Sequence, residues 1–193
     1  KPTIDKGIAF QELGVLPSSP INLNDDSVRK IVQLGKILFF DPRLSGSNKI
    51  SCSTCHSPNL NWTDGLKVSV GHKKAENTRN SPSIENVWFY KKLFWDGRAN
   101  SLEEQAQFPL TSEIEMHQDM KVLPKKLYKI KGYQKLFTNT FGSDKITSEL
   151  IFKSLAVFQK TVLSTKTPFD LFLEGDKNIL TNQQLEGLHL FRT

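Results

Sequence analysis

The stretch from Ile50 to His56, reading ISCSTCH, holds the chain's only two cysteines at C-x-x-C-H spacing and constrains the fold more than any other segment. Two thiols this close cannot staple a framework, so the pair must do chemistry instead. Cys52 and Cys55 lie one helical turn apart, so both thiols can add to the two vinyl groups of a haem while His56 offers its imidazole to the iron from the same side. A thioredoxin-like pair would require a βαβ context, which is missing here, and a zinc site would require a second ligand pair that His72, His117 and His189 do not supply. Only 37% of the 193 residues are apolar, which is low for a globular protein, and a bound cofactor would make up part of the missing apolar mass. Covalent haem attachment takes place outside the bacterial cytoplasm, which places the chain in the periplasm or its equivalent.

The rest of the chain reads as mostly helical, with long irregular connections and little strand. Asn and Asp caps followed by Val28, Ile31, Val32, Leu38 and Phe39 predict a helix from about 25 to 40, stopped at Asp41-Pro42. From 41 to 83 the chain is rich in turn residues, broken by a short helix at the cysteine motif. A second short helix is expected near 84 to 90, and Ser101 with Glu104 forms a capping box that starts a helix at 102. Further helices are expected near 123 to 131, at 133 to 140 ending at Gly142, at 148 to 164 after Thr147, at 169 to 174 ending at Gly175, and after the box Thr181 with Gln184. Leu185, Leu188 and Phe191 of the last helix have no following element to meet, so the natural chain is expected to continue, a single-haem variant being the other reading.

The function of such a haem depends on its second face. A methionine there, Met116 or Met120, would favour electron carriage, whereas an exchangeable histidine such as His72 with a nearby acid would favour peroxide chemistry. Glu113 and Glu115 are the acid candidates, and local sequence leaves the choice among these residues open. The net charge of +6 suits either an acidic partner or plain solubility, and the six lysines between 121 and 135 are either a solvated helix face or a docking patch. No nucleic-acid motif is present, and the longest apolar runs, ILFF and VWFY, are far below the roughly 18 residues of a membrane span.

LGKILFFDPRLSGSNKISCSTCH, VSVGH, RNSPSIENV, FWDGRANSLEEQAQFPL, EMHQD, PFDLFLEGD and LTNQQLEGLHLF, in this order from about 34 to 191, resemble the bacterial dihaem cytochrome c peroxidases. The resemblance implies a mostly α, cytochrome c-like haem domain with long loops over residues 1–164. Residues 165–193 would be the linker and first helices of a second, electron-transfer haem domain, cut short before its own C-x-x-C-H. It implies that Cys52 and Cys55 hold a haem c covalently, that His56 is the proximal iron ligand, and that His72 is a distal ligand that leaves on reductive activation. By the same resemblance Glu115 is the catalytic acid and base with Gln105 beside it, Trp95 lies on the electron route between the two haems, and Asn80 binds calcium. The implied reaction reduces hydrogen peroxide to water with electrons from a small cytochrome c or cupredoxin. A dihaem oxidase of protein side chains and a single-haem electron-transfer module are the alternatives, and the sequence does not decide whether the protein forms a homodimer.

Overall fold

A computed structural model of the chain describes residues 14–192; the expected domain ends at 1–13 and 193 lie outside the described residues. They divide into two compact units, residues 19–163, and residues 164–192 with 14–18. The larger unit carries α1 (Asp26–Phe40), α2 (Cys52–Cys55), α3 (Leu102–Thr111), α4 (Leu123–Tyr128), α5 (Lys131–Phe141) and α6 (Ser148–Gln159). The smaller unit carries α7 (Pro168–Leu173) and α8 (Asn182–Arg192). Among the described residues strand pairing is limited to three isolated antiparallel bridges, and no helix is long and apolar enough to cross a membrane. The fold is mostly α, as expected.

Helix starts follow side-chain capping. Asp25 accepts from the Ser27 N–H at 2.8 Å to begin α1, Ser101 accepts from Glu104 at 3.1 Å to begin α3, and Thr147 accepts from Leu150 at 3.3 Å to begin α6. The box at 101 is only half formed, because the Glu104 carboxylate takes the Asn100 N–H at 2.8 Å. Gly142, with φ of 73°, ends α5 in the left-handed conformation.

Two helices are shorter than the sequence pattern predicts. α6 stops at Gln159 because the chain tightens there: the Thr161 and Val162 N–H groups reach Phe158 O and Gln159 O, and Thr161 Oγ1 also donates to Phe158 O at 2.7 Å. α4 stops at Tyr128 because Ile130 adopts the extended conformation that caps α5, while Gln134 Nε2 donates to the Tyr128 carbonyl at 2.7 Å. Residues 84 to 90 form only a single 3-10 turn, Val87–Phe89.

The core is the junction of α1, α3, α5 and α6, filled by Leu34, Leu38, Phe39, Leu110, Phe137, Ile151 and Leu155. Phe39, Trp62 and Phe158 meet at steep angles within it, with ring centroids 5.2 to 6.2 Å apart and planes inclined by 59 to 72°. Of the six lysines between 121 and 135, Lys126 is committed to the fold, its Nζ donating to Ser45 O at 2.7 Å.

Asp41, which ends α1, is buried and does more than stop a helix. Its carboxylate accepts from the Arg43 side chain at 2.6 to 2.9 Å, from the Arg43 N–H at 2.8 Å and from the Tyr133 hydroxyl at 2.5 Å. Burial alone would push the carboxyl up, but the hydrogen bonds from Arg43 and Tyr133 outweigh it and hold the group below its ordinary 3.8. Tyr133→Phe is expected to cost about 1.5–3 kcal/mol at neutral pH, the range for a hydrogen bond to a charged group. A carboxylate with a depressed pKa contributes stability above the unfolded value and loses it as pH falls through the folded one. The gap between wild type and Tyr133→Phe in urea unfolding should therefore narrow below pH 3.8.

Candidate active site

The larger unit contains a cavity of about 340 Å³, within the roughly 300–1,000 Å³ range of cofactor clefts. Its walls include Phe39 from α1, Cys52 and Cys55 from α2, Leu102, Gln105 and Ala106 from α3, and Leu155 from α6. His56, Asn77, Glu115 and Met116 supply polar atoms and sulfur to the same space.

Neither cysteine is in a disulfide, and the two lie one turn apart on α2, whose first turn is held by Ser51 and Thr54. Burial pushes the Cys52 thiol up to about 12, with the neighbouring Cys55 adding to the effect, so it is protonated at neutral pH. His56 Nδ1 lies 3.1 Å from Trp62 O and 3.3 Å from Ser81 Oγ, and Ser81 Oγ donates to Cys55 O at 2.9 Å. A carbonyl accepts, so the Nδ1 hydrogen points at Trp62 and Nε2 keeps its lone pair for a ligand bond. Burial holds the imidazole below 6.5, against the opposing Trp62 carbonyl and Asp64, and keeps it neutral as metal ligation requires.

Two thiols outside any disulfide, a neutral histidine with its second nitrogen spent on a carbonyl, and an apolar cleft beside them fit a covalently attached haem. Among the described residues no three His, Cys, Asp or Glu side chains converge as a metal-ion site would require.

Glu115 sits on a segment clamped from two sides. Gly46 N donates to Met116 O at 2.9 Å on one side, and His72 N donates to Glu115 O at 2.9 Å and Ile114 O at 3.1 Å on the other. Gly71 is required here, since a Cβ at this position would lie 2.1 Å from Ile114 O. Glu115 thereby lines the cavity, while Glu113 stays exposed and outside it.

His72 is not among the residues that line the cavity. It stands at the tip of a hairpin-like loop closed by the Val70–Glu76 bridge, turned by left-handed Lys73 and Lys74, and its ring stacks on His117 with centroids 4.6 Å apart. Its Nδ1 is shut off from solvent without a hydrogen-bond partner. That burial, with the His117 and Lys73 charges, holds the ring below 6.5.

The cavity's open edge carries Asn80, Trp95, Arg79 and Arg98. Trp95 is 64% exposed and its Nε1 donates to Asn80 O at 2.9 Å, while Asn80 Nδ2 donates to Leu66 O at 2.7 Å. Arg79 and Arg98 both pair with Asp96, at 3.3 and 2.8 Å, and Arg98 lies 3.6 Å over the Phe94 ring.

The structure therefore gathers Cys52, Cys55, His56, Gln105, Glu115, Trp95 and Asn80 around one space and leaves His72 off it. Sequence reasoning did not single out Asn77, Ser81 or Trp62 as site residues. Ser81 was within reach, being the next residue after Asn80 in a stretch already singled out, but no local pattern marks Asn77.

The model of the di-haem cytochrome c peroxidase family matches residues 29–178. Methylamine utilization protein MauG of Methylophilus methylotrophus is 40% identical over 90% of this chain and 52% of its own length. Cytochrome c551 peroxidase of Nitrosomonas europaea is 37% identical over 98% of this chain and 58% of its own length. A crystal structure of a MauG-like protein associated with microbial copper homeostasis superposes with a TM-score of 0.81 at 30% identity, covering 92% of this chain and 53% of that one. The chain thus spans between half and three-fifths of the length of these relatives. With a family match over most of its residues and a cleft built around Cys52, Cys55 and His56, the chain belongs to the di-haem cytochrome c peroxidase family.

Proposed function

We propose that this unit is the peroxide-reducing half of a periplasmic haem c peroxidase. The observation that carries the proposal is the placement of Glu115 on the same cavity as Cys52, Cys55 and His56. Cys52 and Cys55 would hold the haem by thioether bonds, His56 Nε2 would ligate the iron, and Arg79 and Arg98 are the cations available to the haem's carboxylates. When bound, the haem would supply the redox chemistry that reduces the peroxide.

Glu115 then moves the proton. It takes one from the inner peroxide oxygen and returns it to the outer one, so that water rather than hydroxide leaves. With two electrons and two further protons the balance is one peroxide to two waters. Gln105, lining the same cavity, would offer an amide donor to the departing oxygen. The electrons would come from a small cytochrome c or cupredoxin through a second haem, for which residues 165–193 would begin the domain and Trp95 would lie on the route. His72, which stands off the cavity, would be the exchangeable ligand, and Asn80 would contribute to a calcium site.

A second reading rests on Met116, which is buried and also lines the cavity. With Met116 as the second ligand the unit would carry electrons and turn over no substrate.

The deciding experiment mixes the haem-loaded, full-length protein, reduced by a small cytochrome c, with hydrogen peroxide. Donor oxidation at two electrons per peroxide is expected. A stable six-coordinate spectrum, unchanged by reduction and calcium and unresponsive to peroxide, would overturn the peroxidase reading in favour of electron carriage.

A further inference from the structure

The hairpin-like loop that carries His72 at its tip also carries, on its returning limb, a side chain with a direct hold on Glu115. Asn77 N donates to Ser69 O at 2.8 Å and Gly71 N to Ala75 O at 2.8 Å, closing the limbs on each other. From that fixed base Asn77 Nδ2 donates to Glu115 Oε1 at 2.5 Å. The orientation of the amide is dictated by its neighbour, because the Thr78 N–H, which can only donate, points at Asn77 Oδ1 at 2.9 Å. The NH₂ group therefore has to face the carboxyl. The loop thus grips Glu115 at two points, the main-chain oxygen through the His72 N–H and the carboxyl through Asn77.

We propose that Asn77 is a positioning residue for Glu115, occupying Oε1 so that Oε2 alone faces the cavity to exchange the proton with the substrate. The inference rests on the proton-shuttle reading of Glu115 given above. A carboxyl with one oxygen tethered and the other directed at the reacting atoms has lost most of its rotational freedom before the substrate arrives, which is where such holders gain rate.

The test uses the haem-loaded, full-length protein with Asn77→Leu and Asn77→Asp. Asn77→Leu keeps the bulk and removes the donor, and should lower kcat about 10- to 100-fold with the KM for the electron donor unchanged. Asn77→Asp keeps the shape but sets an acceptor against an acceptor, and should be the worse of the two; a residue that merely filled space would show the opposite order. A readout independent of turnover is the association rate of hydrogen cyanide with the open ferric protein. Cyanide binds as the anion, so its proton must be taken up, and the rate should fall in parallel with kcat. If Asn77→Asp fails to load haem, Asn77→Leu with cyanide decides alone. Unchanged kcat and cyanide association in Asn77→Leu, with Glu115→Gln inactive, would overturn the role of Asn77 and spare that of Glu115; an active Glu115→Gln would overturn both.

Discussion

Replacing Glu115 with glutamine in the haem-loaded, full-length protein is expected to lower peroxide turnover by about 10²- to 10⁴-fold, the usual contribution of a positioned acid–base group. The substitution is chosen for what it leaves alone. Glutamine has nearly the same shape, and its Oε1 can still accept the Asn77 Nδ2 hydrogen bond that the carboxylate accepts at 2.5 Å. The main-chain bond from His72 N to residue 115 O is indifferent to the side chain. What would disappear is the proton exchange proposed for Glu115, since an amide does not titrate in this range. Haem content, the resting spectrum and the apparent affinity for the electron donor should stay at wild-type values. Stopped-flow peroxide reduction with a parallel haem assay separates these quantities. Turnover undiminished in the variant would remove Glu115 from the proposed mechanism and return attention to Gln105 and Met116 on the same cavity.

What the sequence made legible is what local rules govern. The caps at Asp25, Ser101 and Thr147 are one-turn hydrogen bonds, readable from the residues themselves, and each stands where the helix starts. The C-x-x-C-H spacing likewise encodes its own geometry, because one helical turn suffices to bring both thiols to one wall. Long-range backbone contacts were not legible. The position of His72 is decided by hydrogen bonds to residues 114 and 115, more than forty positions away, and by Gly71 permitting that approach. No periodicity announces such a contact, so His72 could be named as a candidate but not placed. Asn77 reads locally as one more polar loop residue, and its importance comes wholly from Glu115 lying opposite. Asp41 is intermediate: Asp-Pro after an apolar stripe signals a helix end, yet the tie to Tyr133 joins elements separated by 92 positions.

Gly35 gives the second large prediction, one that runs against propensity. Gly-to-Ala inside a helix ordinarily stabilises by roughly 0.5–1 kcal/mol. At the exposed Gly132 in α5, where an added Cβ meets nothing within 4 Å, a gain of about that size or somewhat less is expected. At Gly35, in the middle of α1, the same methyl would lie 1.9 Å from Ser154 O and 2.8 Å from Phe158 Cβ, and the first of these is backbone of α6 that cannot rotate away. The helices would have to separate by about 1 Å or more to restore ordinary contact. Leu34, Leu38, Phe39, Leu155 and Phe158 would then face gaps along the best-packed junction of the core. Gly35→Ala is therefore expected to cost about 3–5 kcal/mol, a large part of the roughly 5–15 kcal/mol that holds a domain folded. The damage would also reach the cavity, because Phe39 and Leu155 line it and Phe158 backs Phe39 with ring centroids 5.2 Å apart. A fall in haem loading should accompany the loss of stability. Urea unfolding of Gly35→Ala beside Gly132→Ala provides the comparison, since one residue change at two helical sites should move the midpoint in opposite directions. Equal shifts would mean that α1 and α6 are not held as closely as this contact requires.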